Sequence, residues 1–221
     1  MSEIITAILS SAGTFIITVL TYIANIKIEK FKSESENERR EIEIKREQLN
    51  KTYQELISII NLYPNVGPND IAISVESPPH YSMEWFDAMI QNLDYQKDYY
   101  TKRLSNATTG DEINKIKTEL SNREYVRKAI LEIKDKYFLA KKKYKVFCET
   151  RRTEFDLYAG KEVKDNLVKF EMVINNIFIA GYLLENYYDP INNEIDRARR
   201  ELIYSMRKDI GINYRFGVVK C

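Results

Sequence analysis

Apolar positions at the start of this chain run together instead of alternating with charged ones. Residues 4–26 read IITAILSSAGTFIITVLTYIANI and contain no charged side chain. A helix rises about 1.5 Å per residue, so this stretch spans roughly 34 Å, close to the ~30 Å hydrocarbon thickness of a bilayer. Glu3 stands before it; Lys27, Glu29, Lys30 and Lys32 follow. A cleaved signal peptide needs a basic start and small residues ahead of the cleavage point. Here the start is Met1-Ser2-Glu3, and Tyr22-Ile23-Ala24 puts a bulky ring where a small residue is wanted. The pattern predicts an uncleaved transmembrane helix. The lysines on its C-terminal side place the N-terminus outside and residues 27–221 in the cytosol, at the cell inner membrane.

A narrower pattern repeats inside that segment. Ala7, Ser11, Thr14, Thr18, Thr21 and Asn25 alternate spacings of four and three, and each is small or polar. On a helix this is an a/d seam. In lipid, small residues let helices approach and hydroxyls bond across the gap, so the seam predicts self-association. The plainer alternative is that the hydroxyls bond their own backbone. A water-filled pore along the seam has no ionisable residue to mark a path. The same register continues through Ile28, Lys32, Ser35, Arg39, Ile42, Arg46, Leu49, Tyr53, Leu56 and Ile60, poor in the middle and apolar at the end. Over residues 27–55 acids and bases interleave as on a solvated helix. One helix is predicted from the membrane to about residue 61. Its distal end either zips to a second copy as a coiled coil or packs on its own domain.

The rhythm breaks over residues 61–81, which hold Pro64, Pro68, Pro78 and Pro79. Proline removes a donor and drives its predecessor to extended geometry, so no helix is expected to cross here. Ile71-Ala72-Ile73-Ser74-Val75 reads as a short extended segment, and a loop this long is often functional or mobile. Helical periodicity then returns. A helix is predicted over 82–104, with Trp85, Met89, Leu93 and Gln96 along one face. Thr109 and Glu112 fit a capping box for the next. That helix is expected to run unbroken to residue 158 and to close on Gly160 in the left-handed region. Its seam is Val126, Ile130, Ile133, Tyr137, Ala140, Tyr144 and Phe147. The following helix carries Val163, Leu167, Phe170, Ile174, Ile177, Gly181 and Leu184 at the same rhythm. With Val173, Phe178, Ile179, Tyr182 and Leu183 beside them, it reads as apolar nearly all round and central to a bundle. Residues 172–184 are uncharged but short for a second membrane span. Asp189-Pro190 reads as N-cap and first residue of a last helix ending near Gly211, with Ile191, Ile195, Ala198 and Leu202 facing inward.

The predicted class is therefore all-α: a single transmembrane helix (residues 1–26), its continuation as a long helix or coiled coil (27–61), a proline-rich loop (62–81), an antiparallel helical bundle in the cytosol (82–211) and a tail (212–221). Composition agrees. With 221 residues, 44% of them hydrophobic, the chain can bury one substantial core besides an anchor. Seven glycines and five prolines suit long helices. The Lys-, Asn-, Ile- and Tyr-rich, glycine-poor style is that of bacterial and phage proteins. Charged residues make up 30% but the net charge is +1, so no global field favours nucleic acid. Cys148 and Cys221 suggest no disulfide framework.

Candidate chemistry is thin. His80 is the one histidine, which leaves a His/Cys metal site short of ligands. There is no Gly-rich phosphate loop and no nucleophile elbow. His80, Glu84 and Trp85 lining a pocket is a local alternative. The strongest charge feature is a basic stripe: Arg123, Arg127, Lys134, Lys141, Lys145 and Arg152, thickened by Lys142, Lys143 and Arg151. A second cluster holds Arg197, Arg199, Arg200, Arg207 and Lys208. Of these, Arg127, Lys134, Lys141, Lys145 and Arg152 are the candidate anion-binding residues, for a nucleotide messenger, nucleic acid or lipid headgroup. Against this, Glu124, Asp135, Glu149 and Glu154 are placed to neutralise them as helix-surface pairs. The sequence points to a non-enzymatic single-pass membrane protein without cofactor. Its partners would be the lipid bilayer, further copies of itself and a protein met through the bundle; nucleic acid is disfavoured. It would act as a scaffold, a sensor or a membrane-perturbing effector of the kind used in phage defence or lysis. The alternatives are a binding module for an anion and an enzyme of unrecognised type.

Overall fold

The computed structural model describes residues 2–75, 86–185, 189 and 192–212, with side chains from residue 22 onward except Ala24. Every element among the described residues is a helix: α1 (Ser2–Ile60), α2 (Pro68–Ala72), α3 (Phe86–Asn106), α4 (Gly110–Thr150), α5 (Arg152–Tyr158), α6 (Lys161–Phe178) and α7 (Glu194–Asp209). The chain forms two units, residues 1–48 and 49–221.

The first unit consists of α1. No glycine or proline interrupts residues 14–60, and opposite charges stand four apart at Lys30/Glu34, Glu36/Arg40, Arg39/Glu43 and Glu41/Lys45. Each such pair adds about 0.2–0.5 kcal/mol of helix stability. Over 22–48, Ser35 and Gln48 are half-buried and the other described side chains are exposed, among them Ile23, Ile26, Ile28, Phe31, Ile42 and Ile44. Among the described residues no helix is long and apolar enough to cross a membrane. The side chains of the expected anchor lie outside the described residues as far as position 21. So do those of Ala7, Ser11, Thr14, Thr18 and Thr21 in its seam; Asn25 is exposed.

The second unit is an antiparallel bundle, as the periodicity predicts. Arg103 pairs with Glu112 and Lys134 with Asp87, so α3 and α4 run in opposite directions. Tyr137 stacks on Phe178 at 4.9 Å and Tyr144 bonds Glu171, which sets α6 antiparallel to α4. Lys208 meets Glu162 while Asn166 meets the Glu201 carbonyl, which does the same for α6 and α7. The distal end of α1 packs on its own domain: Leu49, Tyr53, Leu56 and Ile60 are all buried. The α4 seam (Val126, Ile130, Ile133, Tyr137, Ala140, Phe147) and the α6 seam from Val163 to Ile177 are buried with them. Each fully buried side chain of this size stabilises by about 1.5–3 kcal/mol.

Several local expectations are corrected. The helix expected to reach residue 158 breaks at Arg151 (φ −121°, ψ −10°). Phe147 and Phe155 meet edge to face across the break at 6.2 Å, so the hitch keeps both rings in one core. Gly160 is not left-handed but extended (φ −66°, ψ 157°), and it caps α6 from its N-terminal side. A Cβ there would lie 2.5 Å from Asp209 Oδ1, which explains the glycine by close approach. α6 is one-faced, with Val168 and Met172 exposed. It stops at Phe178, and Gly181 (φ 75°) turns the chain. Residues 172–184 are thus not one helix, which removes the basis for a second span. Residues 71–75 are not extended. Pro68 begins the short helix α2, and Val75 bonds back to the Ala72 carbonyl. The last helix begins at Glu194 with Asn193 as its cap, later in the chain than expected, because Asp189 closes a turn with Asn192 instead. Its end matches: Gly211 is left-handed (φ 80°), with Ile212 bonded to Arg207 and Gly211 to Lys208. Thr109 caps α4, accepting from the Glu112 amide at 3.4 Å.

Candidate functional site

α4 is the long helix that carries the basic stripe, and α3 lies along its first half. That neighbour changes what the stripe presents. Arg123 is 2% exposed, with its guanidinium 4.2 Å above the Tyr100 ring, Nε donating to Gln96 and Nη1 paired with Glu119. It is a core residue. Arg127 holds Asp94 through two contacts, at 2.6 and 3.3 Å, and the hydrogen bond to Asp94 raises its pKa against the opposing effect of burial. Lys134 reaches Asp87 at 2.5 Å. Farther along, Lys145 pairs with Glu149 at 3.8 Å and Arg152 with Asp156 at 3.1 Å. Arg151 lies between Glu55 and Glu154. Exposed pairs of this kind contribute about 0–1 kcal/mol. Lys141 differs: no carboxylate pairs with it among the described residues, and its ammonium sits 5.8 Å from the Tyr137 ring. In the second cluster, Arg197 pairs with Glu185, Lys208 with Glu162, and Arg200 reaches Asn192. His80, Glu84 and Trp85 lie outside the described residues.

What reasoning from sequence missed is the burial of several polar residues. Arg199 is enclosed between α7 and the segment after α1. Its Nε donates to the Ile60 carbonyl at 3.2 Å and Nη2 to the Tyr63 carbonyl at 2.8 Å. Its Nη1 reaches Asp196 at 2.7 Å and also contacts Asn65. Burial lowers its pKa and the Asp196 charge partly restores it. Asp70 accepts from the Gly67 and Leu184 amides, both at 2.9 Å, and burial nonetheless raises its pKa. Asn69 donates to the Gly181 carbonyl at 2.7 Å, and Asn193 to the Asn65 carbonyl at 2.8 Å. The segment read as a long loop, functional or mobile, is over residues 61–75 a largely buried and hydrogen-bonded insert, and residues 76–81 lie outside the described residues. The signal for this in the sequence was its density of Asn and Asp, which satisfy backbone groups in turns.

Among the described residues no group of His, Cys, Asp and Glu converges as a metal ion would require. No protein-family model matches the chain, and neither does any curated protein or any solved structure.

Proposed function

We propose that the chain is a non-enzymatic, single-pass membrane protein. Residues 4–26 cross the bilayer, residues 27–48 form a stalk, and the helical unit from Leu49 on lies in the cytosol. Copies associate through the small-residue seam of the anchor and so cluster their bundles, as a scaffold, sensor or membrane-perturbing effector requires. The observation that carries this reading is α1. It is one helix over Ser2–Ile60. It has no charge over 4–26, and Ile23, Ile26, Ile28, Phe31, Ile42 and Ile44 are exposed along its middle. A lone helix in water is marginal, and apolar side chains in sequence along it favour a covering. Lipid and headgroups cover the first of them and a neighbouring copy the later ones. Lys27, Lys30 and Lys32 then stand where the anionic cytoplasmic leaflet attracts them.

Two measurements test this on the full chain. After lysis and a carbonate wash, the protein is expected in the membrane pellet, released by mild detergent; recovery from the soluble fraction removes the anchor. Crosslinking in membranes is expected to trap dimers or larger species, and replacing Ser11, Thr14 and Thr18 together by Leu to reduce them. A crosslinking pattern indifferent to that triple change removes association through the seam.

A further inference from the structure

Where α4 faces α6, the side chains do not close completely. They leave a cleft of about 210 Å³. Four aromatic residues line it: Tyr63, Tyr137, Tyr144 and Phe170. Tyr63 stands edge-on to Phe170 at 5.6 Å and to Tyr137 at 6.2 Å. Ile174 supplies an apolar floor. Tyr63 is only 8% exposed and lines the cleft. A phenol hydroxyl can donate a hydrogen bond to an occupant that accepts it. Burial first, then the fields of Tyr137, Glu171 and Cys148, keep its proton on well above the ordinary range. It is therefore a donor at physiological pH.

The two charges at the cleft are not equivalent. Glu171 already accepts from the Tyr144 hydroxyl and has the Arg152 guanidinium 3.9 Å away. Lys141 has no carboxylate partner among the described residues and leans on the Tyr137 ring. The Asn175 side chain is exposed beside it, while its backbone carbonyl is taken by Ile179 and Ala180. The charge without a carboxylate partner is that of Lys141, and the Tyr63 hydroxyl and the Asn175 amide can each donate a hydrogen bond to an acid. This selects an acid over an amine, since the aromatic wall already has a cation against it. Drug-sized ligands occupy pockets of about 300–1,000 Å³, so this volume admits one ring or two fused rings.

We propose that the cleft between α4 and α6 binds a small aromatic carboxylate, its ring against Tyr63, Phe170 and Ile174 and its acid group held by Lys141 and Asn175. The inference does not rest on the membrane reading, because every residue of the cleft belongs to the unit that begins at Leu49.

The test uses the full-length protein in an uncharged detergent, titrated with 2-naphthoate and followed by ligand-observed NMR, with empty micelles subtracted. The comparison ligand is 2-naphthylmethylamine, the same ring bearing the opposite charge. Saturable binding of the acid and none of the amine is expected. Lys141→Gln should weaken it about tenfold, the scale of one charge-assisted hydrogen bond. Tyr63→Phe, which keeps the wall and removes the donor, should weaken it a few-fold. Lys128→Gln, exposed elsewhere on α4, should leave it unchanged. The proposal is overturned if naphthoate fails to saturate up to its solubility, if the amine binds as well, or if Lys141→Gln has no effect.

Discussion

The guanidinium of Arg199 lies among the carbonyls of Ile60 and Tyr63, the Asp196 carboxylate and Asn65, with little access to water. Removing one member of a buried ion pair strands the other in a poor solvent. Arg199→Met is therefore expected to lower the unfolding free energy by about 3–5 kcal/mol, measured by urea denaturation. Adding Asp196→Leu should recover part of that loss. Lys145→Met, whose partner Glu149 is exposed, should cost about 0–1 kcal/mol. A loss under about 1 kcal/mol for Arg199→Met would show that the network is not what holds the end of α1 to α7. In the sequence Arg199 looks like Arg197 and Arg200. The clue was register: it falls four after Ile195 and three before Leu202, on the inner stripe of α7. Why a charge should occupy that stripe became plain only once the Ile60 and Tyr63 carbonyls were seen above it.

At the scale of elements, two glycines at helix starts have opposite roles. The Gly160 amide donates to Asp209 Oδ2 at 3.0 Å, and Tyr53 donates to the same oxygen at 2.5 Å. A Cβ at Gly160 would push Asp209 off both donors. Gly160→Ala should thus destabilise by about 1–3 kcal/mol. Gly110 opens α4, and a Cβ added there would meet nothing within 4 Å. Gly110→Ala should be neutral or stabilise by up to about 1 kcal/mol, through the unfolded chain's lost freedom. Thermal or urea melts of the two variants check both signs; equal effects would mean that Asp209 is not the constraint. The caps at Thr109 and Gly211 were legible because they depend on residues within one turn. Gly160 was not, because a glycine between two helices serves equally as the end of one or the start of the next. Asp209, on another helix, made the choice.

For the whole molecule, the buried hydrophobic residues described all lie from Leu49 onward. Residues 49–221 expressed alone are therefore expected to unfold in one cooperative urea transition, with a midpoint matching that of the full chain. A sloping, non-cooperative loss of helix would show that the stalk is part of the folding unit. The position of that boundary was not readable: Ile28, Ile42, Leu49 and Leu56 share one register, yet Ile42 is 51% exposed and Leu49 is 1%. Periodicity reports which side of a helix is apolar, and the neighbours decide how far along it that side is covered.

The order of residues alone determined that this is a helical protein, that its helices after the proline-rich break pack as an antiparallel bundle, and which seams of α4, of α6 as far as Ile177 and of α7 from Ile195 face inward. These follow from spacing along the chain, which acts over a turn or two. Tertiary structure alone decided that α3 supplies carboxylates to Arg127 and Lys134 and that Lys141 keeps none. It also decided that the segment after α1 is buried rather than free, and that Arg199 is interior. Each of these depends on groups brought together from distant parts of the chain, where charge and burial are set by what lies across a gap of a few ångströms rather than by the next residue.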